Sequence, residues 1–429
     1  MSALRAEEET ETEEIEDLES FRRRARAFIT ANLAPKTIDE MRQDYSVGDE
    51  EAELAEIAHE RDLQRMIYDA GLAGICFPRA YGGQGLTPAH QMVLNEEIVG
   101  RDFPWRIQVP TFVPCAAIIL EFGTEEQKQR YLPPILRGEE LWMQFLSEPS
   151  GGSDVAAALT TAVRDGDQWV LNGSKIWTTG AWWSDWGLCL ARTNWDVPKH
   201  RGLTVFMLPI HQPNVEVHRI EMLNGSREFC QEFLTDVVVP DSDRIGEVDD
   251  GWTVGTRWMF HERMLFNSPY ASHPVGVTHG SMDATSVFKV AREAGLLDDT
   301  ATQEMVGEAR MLELISDAVG KRINESISAG KLSDQAAAIV RLFKGSSQER
   351  IRTLGFEVAG SAGAAWSGEG PTTRAAINYL IRQGGSIGGG TLEMARNVVA
   401  ERVLGMPRER RLDKDVPFRD VPRSRSGSG

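Results

Sequence analysis

The chain has 429 residues and a formal net charge of -18, with hydrophobic residues at 41% and charged residues at 26%. That length predicts about two or three domains, and the acidic balance argues against nucleic acid, whose phosphates call for a basic stripe absent here. No cationic leader with an apolar stretch follows Met1, and no apolar run approaches the ~20 residues of a membrane helix, so the expected address is the cytoplasm.

In chain order, residues 1–17 read as an acidic, mobile leader. Residues 18–140 read as an N-terminal helical domain. Leu18, Phe21, Ala25 and Phe28 keep helical spacing, as do Leu54, Ile57, Arg61 and Met66 more loosely. Thr87 and Pro88 supply a cap and a first-turn proline. Thr124 and Gln127 fit a capping box.

Residues 141–250 shift to a period near two. Segments at Thr160, Gln168, Gly187, Leu203, Val215 and Glu232 look like strands, separated by turn residues at Asp165-Gly166-Asp167, Asn172-Gly173, Pro213-Asn214 and Asn224-Gly225. Short strands without intervening helices predict a central antiparallel β-barrel domain. Residues 251–408 return to a helical pattern. Two apolar stripes, from Met305 to Ile327 and from Leu332 to Val358, break at Gly330 and predict antiparallel helices of a C-terminal four-helix bundle. Residues 409–429 read as a flexible tail. The fold class expected is α+β: helices, barrel, helices. Cys76, Cys115, Cys189 and Cys230 form no CxxC pair and read as reduced, buried thiols, with no metal set.

Three segments carry chemistry. Gln144-Phe-Leu-Ser-Glu-Pro-Ser-Gly-Gly-Ser-Asp154 offers the hydroxyls of Ser147 and Ser153, with glycines that let a ligand approach the backbone; these residues also simply make turns. Asn172 to Gly180 reads as a hairpin turn leading to Trp177, Thr178 and Thr179. An indole packs on a flat ring and a threonine hydroxyl bonds a ring nitrogen. The cluster Trp177, Trp182, Trp183 and Trp186 suggests a cavity wall. Gly384-Gly-Ser-Ile-Gly-Gly-Gly-Thr-Leu-Glu393 runs into a helix N-terminus, a geometry that welcomes an anion. It lacks the GxGxxG of a Rossmann fold.

Together these segments resemble the acyl-CoA dehydrogenase family, from about Phe21 to Pro407. The matches are Leu-Ser-Glu-Pro-x-x-Gly-Ser-Asp at 146–154, Gly-x-Lys-x-Trp-x-Thr in the segment from Gly173, and Gly-Gly-Thr-x-Glu-x-x-Arg-Asn at 389–397. The resemblance implies bound FAD, an acyl-CoA substrate and an electron-transfer flavoprotein as acceptor. A carboxylate takes the α-proton of the thioester and the β-hydride passes to flavin N5. Cofactor-binding roles carry over to Leu146, Ser147, Ser153, Trp177, Thr179, Thr391 and Glu393, and substrate-binding roles to Arg263 and Ser153.

Two departures matter. Many members carry the base in Tyr-Glu-Gly-Thr, but the matching glutamate position here is Gly389. A second family location, on the first C-terminal helix just before an arginine, is filled by Glu262 in Trp258-Met-Phe-His-Glu-Arg-Met-Leu. Glu262 is therefore the expected catalytic base, with His261 facing elsewhere. The segment that in many homotetramers reaches a neighbour's FAD is reduced to the region around Arg292. The expected assembly is a homotetramer or homodimer, or a heterotetramer with a related chain. Two other readings stay open: a subunit of a heteromeric dehydrogenase with incomplete flavin sites, and a flavin monooxygenase or oxidase of the same fold. The bulky Trp105, Trp182, Trp183, Trp258 and Phe260 hint at a shaped cavity, and the resemblance, through a base placement that also occurs with branched or bulky acyl chains, implies a branched or steroid-derived acyl group.

Overall fold

A computed structural model describes residues 15–36, 50–264, 268–273, 284–365, 370–410 and 413–422. Most of the acidic leader (1–14) and residues 423–429 lie outside them. The N-terminal region is helical. Helix α1 (Leu18–Asn32) buries Phe21, Ala25 and Ile29; of the predicted stripe, Leu18 is exposed and Phe28 half-buried, the buried face ending at Ile29 instead. Helices α2 (Glu50–Asp69) and α3 (Pro88–Glu97) follow, the latter with the predicted Thr87 cap and His90 as its box partner. Helix α4 (Trp105–Pro110) continues through a wholly buried π-helical turn (Thr111–Ala116) into α5 (Ala117–Phe122). Pro110 and Pro114 lack N–H donors, which breaks the regular ladder there. Helix α6 (Glu125–Arg137) opens on the predicted capping box: Gln127 N–H donates to Thr124 Oγ1 at 3.2 Å and Thr124 N–H to Gln127 Oε1 at 2.9 Å.

The central region is one sheet. Its strands are β1 (Trp142–Phe145), β2 (Thr161–Asp165), β3 (Gln168–Thr179), β4 (Trp186–Arg192), β5 (Leu203–Pro209), β6 (Val215–Arg219), β7 (Phe229–Pro240) and β8 (Arg244–Ile245). They run β6-β7-β3-β2-β4-β5-β8, with β1 paired to β4. Two expectations are corrected. First, the sheet is not a closed antiparallel barrel: no ladder joins β6 to β8, and β1 meets β4 in parallel. Pattern alone reports which residues are buried, not which strand lies alongside. Second, Asn172-Gly173 is not a turn. β3 passes straight through it with a bulge, and Asn172 exchanges hydrogen bonds with Asp236 across the ladder at 3.0 and 2.9 Å.

Strands β4 and β5 are buried on both faces. Leu188, Leu190, Leu203, Val205 and Met207 face a core shared with Phe112, Leu132 and Trp142. Their alternate neighbours Cys189, Ala191, Phe206 and Leu208 face Trp169, Leu171, Val237 and Val239 of β3 and β7. Helix α7 (Gly251–Arg263) buries Val254 and Trp258 in the first of these cores, so its apolar face serves the sheet and the N-terminal helices.

The C-terminal region is helical: α8 (Ala284–Glu293), α9 (Thr300–Ser328), α10 (Ala337–Ala365), α11 (Pro371–Leu380), α12 (Gly384–Ile387) and α13 (Leu392–Val398). The break at Gly330 is a left-handed residue, φ +66°. Arg350 bonds Glu308 at 2.7 Å, and Gly320 faces Val340, so α9 and α10 run antiparallel. Val287, Val290, Ala309, Ile351, Leu354 and Ala375 bring four of these helices to one core. Part of the tail docks instead of swinging free. Phe418 is buried, stacks on Trp195 at 5.4 Å and lies under the Arg192 guanidinium at 4.1 Å. Among the described residues, no helix is long and apolar enough to cross a membrane.

Candidate active site

Three segments meet at the end of β1: the loop from Leu146 to Asp154, the last residues of β3, and α7. The Ile176 N–H donates to the Ser147 carbonyl at 3.0 Å, which lays the loop against β3 one residue before Trp177. Trp177 is an extra residue in its strand. The register shifts between Ile176↔Gln231 and Thr178↔Cys230, and Trp177 takes φ +67°. A side chain in this region costs about 1–2 kcal/mol, and bulges of this kind re-aim side chains beside functional sites. The indole is 52% exposed, resting edge-on against Phe229 at 5.8 Å. Beside it, a Cβ built on Gly151 would meet nothing within 4 Å, and one on Gly152 only the Ser147 side chain. An exposed flat ring next to an open glycine loop fits a planar, phosphate-bearing group such as FAD. Leu146 is buried, Ser147 and Thr179 are half-buried, and Ser153 is exposed.

A polar layer supports this platform from within. The Lys175 ammonium donates to Glu148 Oε1 at 2.8 Å and to the Leu190 carbonyl at 2.6 Å, all buried. Glu148 also accepts from the Leu159 and Thr160 N–H groups at 2.6 and 3.0 Å. Thr178 Oγ1 bonds the Gln144 carbonyl at 3.3 Å and Glu232 Oε2 at 3.1 Å. Burial pushes the Glu232 carboxyl up to about 8.

Glu262 lies in the last turn of α7, half-buried. Burial raises its carboxyl above the ordinary range, opposed by the charge of Arg263 and then by a hydrogen bond with the Gln144 side chain. One turn earlier, the buried Trp258 indole donates to Gln144 Oε1 at 2.8 Å. Arg263 is exposed. His261 is buried and bonded to Glu121 at 2.8 Å, which also takes both arms of Arg257 at 2.6 and 2.8 Å.

Thr391 and Glu393 sit apart from this group. Thr391 caps α13, accepting from Met394 N–H at 3.1 Å, and Glu393 pairs with Arg396 at 3.4 Å. Arg341 of α10 pins the preceding glycine loop through the Gly388 and Gly390 carbonyls at 2.8 and 2.9 Å. A Cβ on Gly389 would meet nothing within 4 Å.

The four clustered tryptophans do not form one wall, which corrects that expectation. Trp186 stacks on Trp142 at 5.1 Å inside one core, Trp183 is buried in another with Trp182 packed against it under Arg219 at 4.1 Å, and Trp177 is exposed away from both. Strand alternation and the short helical turn at Ala181–Trp183 send neighbours in different directions. Reading the sequence missed Gln144, Lys175 and Glu232. For Gln144 the available signal was a polar residue inside the apolar run Trp142-Met-Gln-Phe, which must find a partner when buried.

Residues 15–139 match the family model for the acyl-CoA dehydrogenase N-terminal domain, and 144–237 match that for the middle domain. The acyl-CoA dehydrogenase IpdE1 of Mycobacterium tuberculosis is 30% identical over 401 residues, covering 92% of this chain and 99% of the relative. This chain belongs to the acyl-CoA dehydrogenase family. Its members are flavoprotein oxidoreductases acting on acyl-CoA thioesters, and this acyl-CoA dehydrogenase shares that character. The acyl-CoA dehydrogenase FadE34 of the same organism is 32% identical over 360 residues, which span 83% of this chain and 48% of FadE34. Among solved structures, the "Tcur3481-Tcur3483 steroid ACAD" aligns with a TM-score of 0.69 at 28% identity, over 91% of this chain and 98% of that one.

Proposed function

We propose that this acyl-CoA dehydrogenase binds FAD and α,β-desaturates a bulky acyl-CoA, branched or steroid-derived, with Glu262 as the base. The observation that carries the reading is the Glu262 carboxyl, held half-buried at the end of β1 with its pKa raised, while Gly389 leaves the alternative base position without a side chain. A bound FAD supplies the hydride acceptor. Leu146, Ser147, Ser153, Trp177 and Thr179 would hold its ring and the adjoining atoms, and Thr391 and Glu393 would contact it from the glycine-loop side. Glu262 takes the α-proton onto its carboxylate and keeps it, since an apolar surrounding favours the neutral acid once formed. Arg263 and Ser153 line the thioester. The substrate class is supported by the base position and by the steroid dehydrogenase named above.

The assembly proposed is an oligomer of this chain, or a heterotetramer with a related one, passing electrons to an electron-transfer flavoprotein. Exposed Met311, Leu314 and Ile315 on α9 support a covered face. The local bonding of Thr391 and Glu393 supports a flavin site completed by a second chain. The test is anaerobic bleaching of the flavin with a panel of acyl-CoA thioesters. Wild-type protein bleaches with bulky acyl groups, and Glu262→Gln binds FAD but does not bleach. Bleaching by Glu262→Gln at the wild-type rate would exclude Glu262, and preference for straight medium chains would exclude the substrate class.

A further inference from the structure

Gln144 bonds one of two residues of α7 that share a helix face. Trp258 and Glu262 are four residues apart, so their side chains project to the same side; Trp258 bonds the amide of Gln144 on β1, and that amide favours the charged form of the Glu262 carboxyl. The two effects are not independent. An indole N–H can only donate, so the bond from buried Trp258 at 2.8 Å takes the amide oxygen and fixes which way the amide points. Its NH2 group is then left to face Glu262. A free glutamine could flip and present its oxygen to the carboxylate; this one cannot without stranding a buried indole N–H.

We propose that Gln144 is a positioning residue for Glu262, locked by Trp258 as a hydrogen-bond donor to the carboxylate. The proposal concerns the ionisation and aim of Glu262, and it rests on the reading of Glu262 as base only for its catalytic consequence. The donor favours the charged form and counters the burial of α7's last turn. Its backbone adds a second link: the Gln144 carbonyl accepts from Thr178, the residue after Trp177, so one residue ties the carboxylate to the platform strand. Other charged groups around the helix are engaged elsewhere. His261 and Arg257 bond Glu121, Glu232 bonds Thr178, and Lys175 bonds Glu148. Among the described residues, Arg263, the next residue and exposed, is the charge that acts on Glu262.

The test reads Glu262 directly. The FAD-loaded protein is labelled with carbon-13 at the glutamate side-chain carboxyl and titrated by NMR, the Glu262 signal being the one lost in Glu262→Gln. Gln144→Leu is expected to raise the midpoint by about one pH unit, a tenfold change in proton affinity, the size of one hydrogen bond to a charged group. Trp258→Phe, which frees the amide to rotate, is expected to raise it by less. The double variant Gln144→Leu/Trp258→Phe leaves no buried donor stranded and serves if Gln144→Leu fails to fold. A midpoint unmoved in the Gln144 variants overturns the proposal, and one unmoved in Trp258→Phe overturns the lock. Because no substrate is added, these outcomes stand whether or not Glu262→Gln abolishes bleaching.

Discussion

The Lys175 ammonium lies 2.8 Å from the Glu148 carboxylate with both side chains buried, directly beneath the loop that carries Ser147. Burial alone would raise the Glu148 carboxyl; the ammonium and the N–H donors outweigh it and hold the group below its ordinary value. Removing the ammonium leaves an uncompensated buried charge, so Lys175→Met is expected to cost about 3–5 kcal/mol. A carboxylate depressed in the folded state stabilises fully above its unfolded pKa of about 4.3. That contribution is lost as pH falls through the lower folded value. Denaturant unfolding at pH 7 and pH 3 checks both statements, and an unchanged midpoint for Lys175→Met at pH 7 defeats them.

Trp177 combines backbone strain with an exposed ring, so stability and cofactor retention should separate. Trp177→Gly relieves a left-handed residue of about 1–2 kcal/mol while giving up the edge contact to Phe229. The expected result is a net stability change within about 1 kcal/mol together with a marked loss of bound FAD. Thermal melts of the flavin-free protein and flavin-to-protein absorbance ratios measure the two. Wild-type flavin content in the variant would remove Trp177 from the cofactor site.

Gly173 marks the first bulge of β3. A Cβ there would sit 2.5 Å from Thr160 Oγ1 and 2.7 Å from Thr160 Cα, so no rotamer change relieves the clash. Gly173→Ala is expected to destabilise by about 1–3 kcal/mol, read as a lowered melting temperature. A melting curve that overlays wild type would show that the backbone at Thr160, just before β2, yields at no cost.

Much of the helical architecture was legible because its signals are local. The Thr124–Gln127 box needs only residues three apart, and the stripes of α9 and α10 need only a period. Even there Ile315, on the expected stripe, is 40% exposed, since a stripe does not say whether a neighbour covers it. The sheet was legible in its strands but not in its pairing: nothing near Trp142 says that β1 runs parallel beside β4. Asn172-Gly173 misled because the same residues that close a hairpin also fit a bulge. At the candidate site, Glu262, Ser147 and Trp177 were reached through motifs. Gln144 was not, because the indole that holds its side chain lies 114 residues downstream, beyond any local rule.

The docked tail has a consequence for the whole chain. Lys199 bonds Asp154 at 2.7 Å and Asp413 at 2.9 Å, Arg419 pairs with Asp196, and Phe418 fills its cage beside them. The polypeptide leaves the sheet region through α7 and, after all the C-terminal helices, returns to it. Those helices are thus strung like a hammock between two fixings. One fixing shares its lysine with the loop that ends at Asp154, so a single ammonium joins the far end of the chain to that loop.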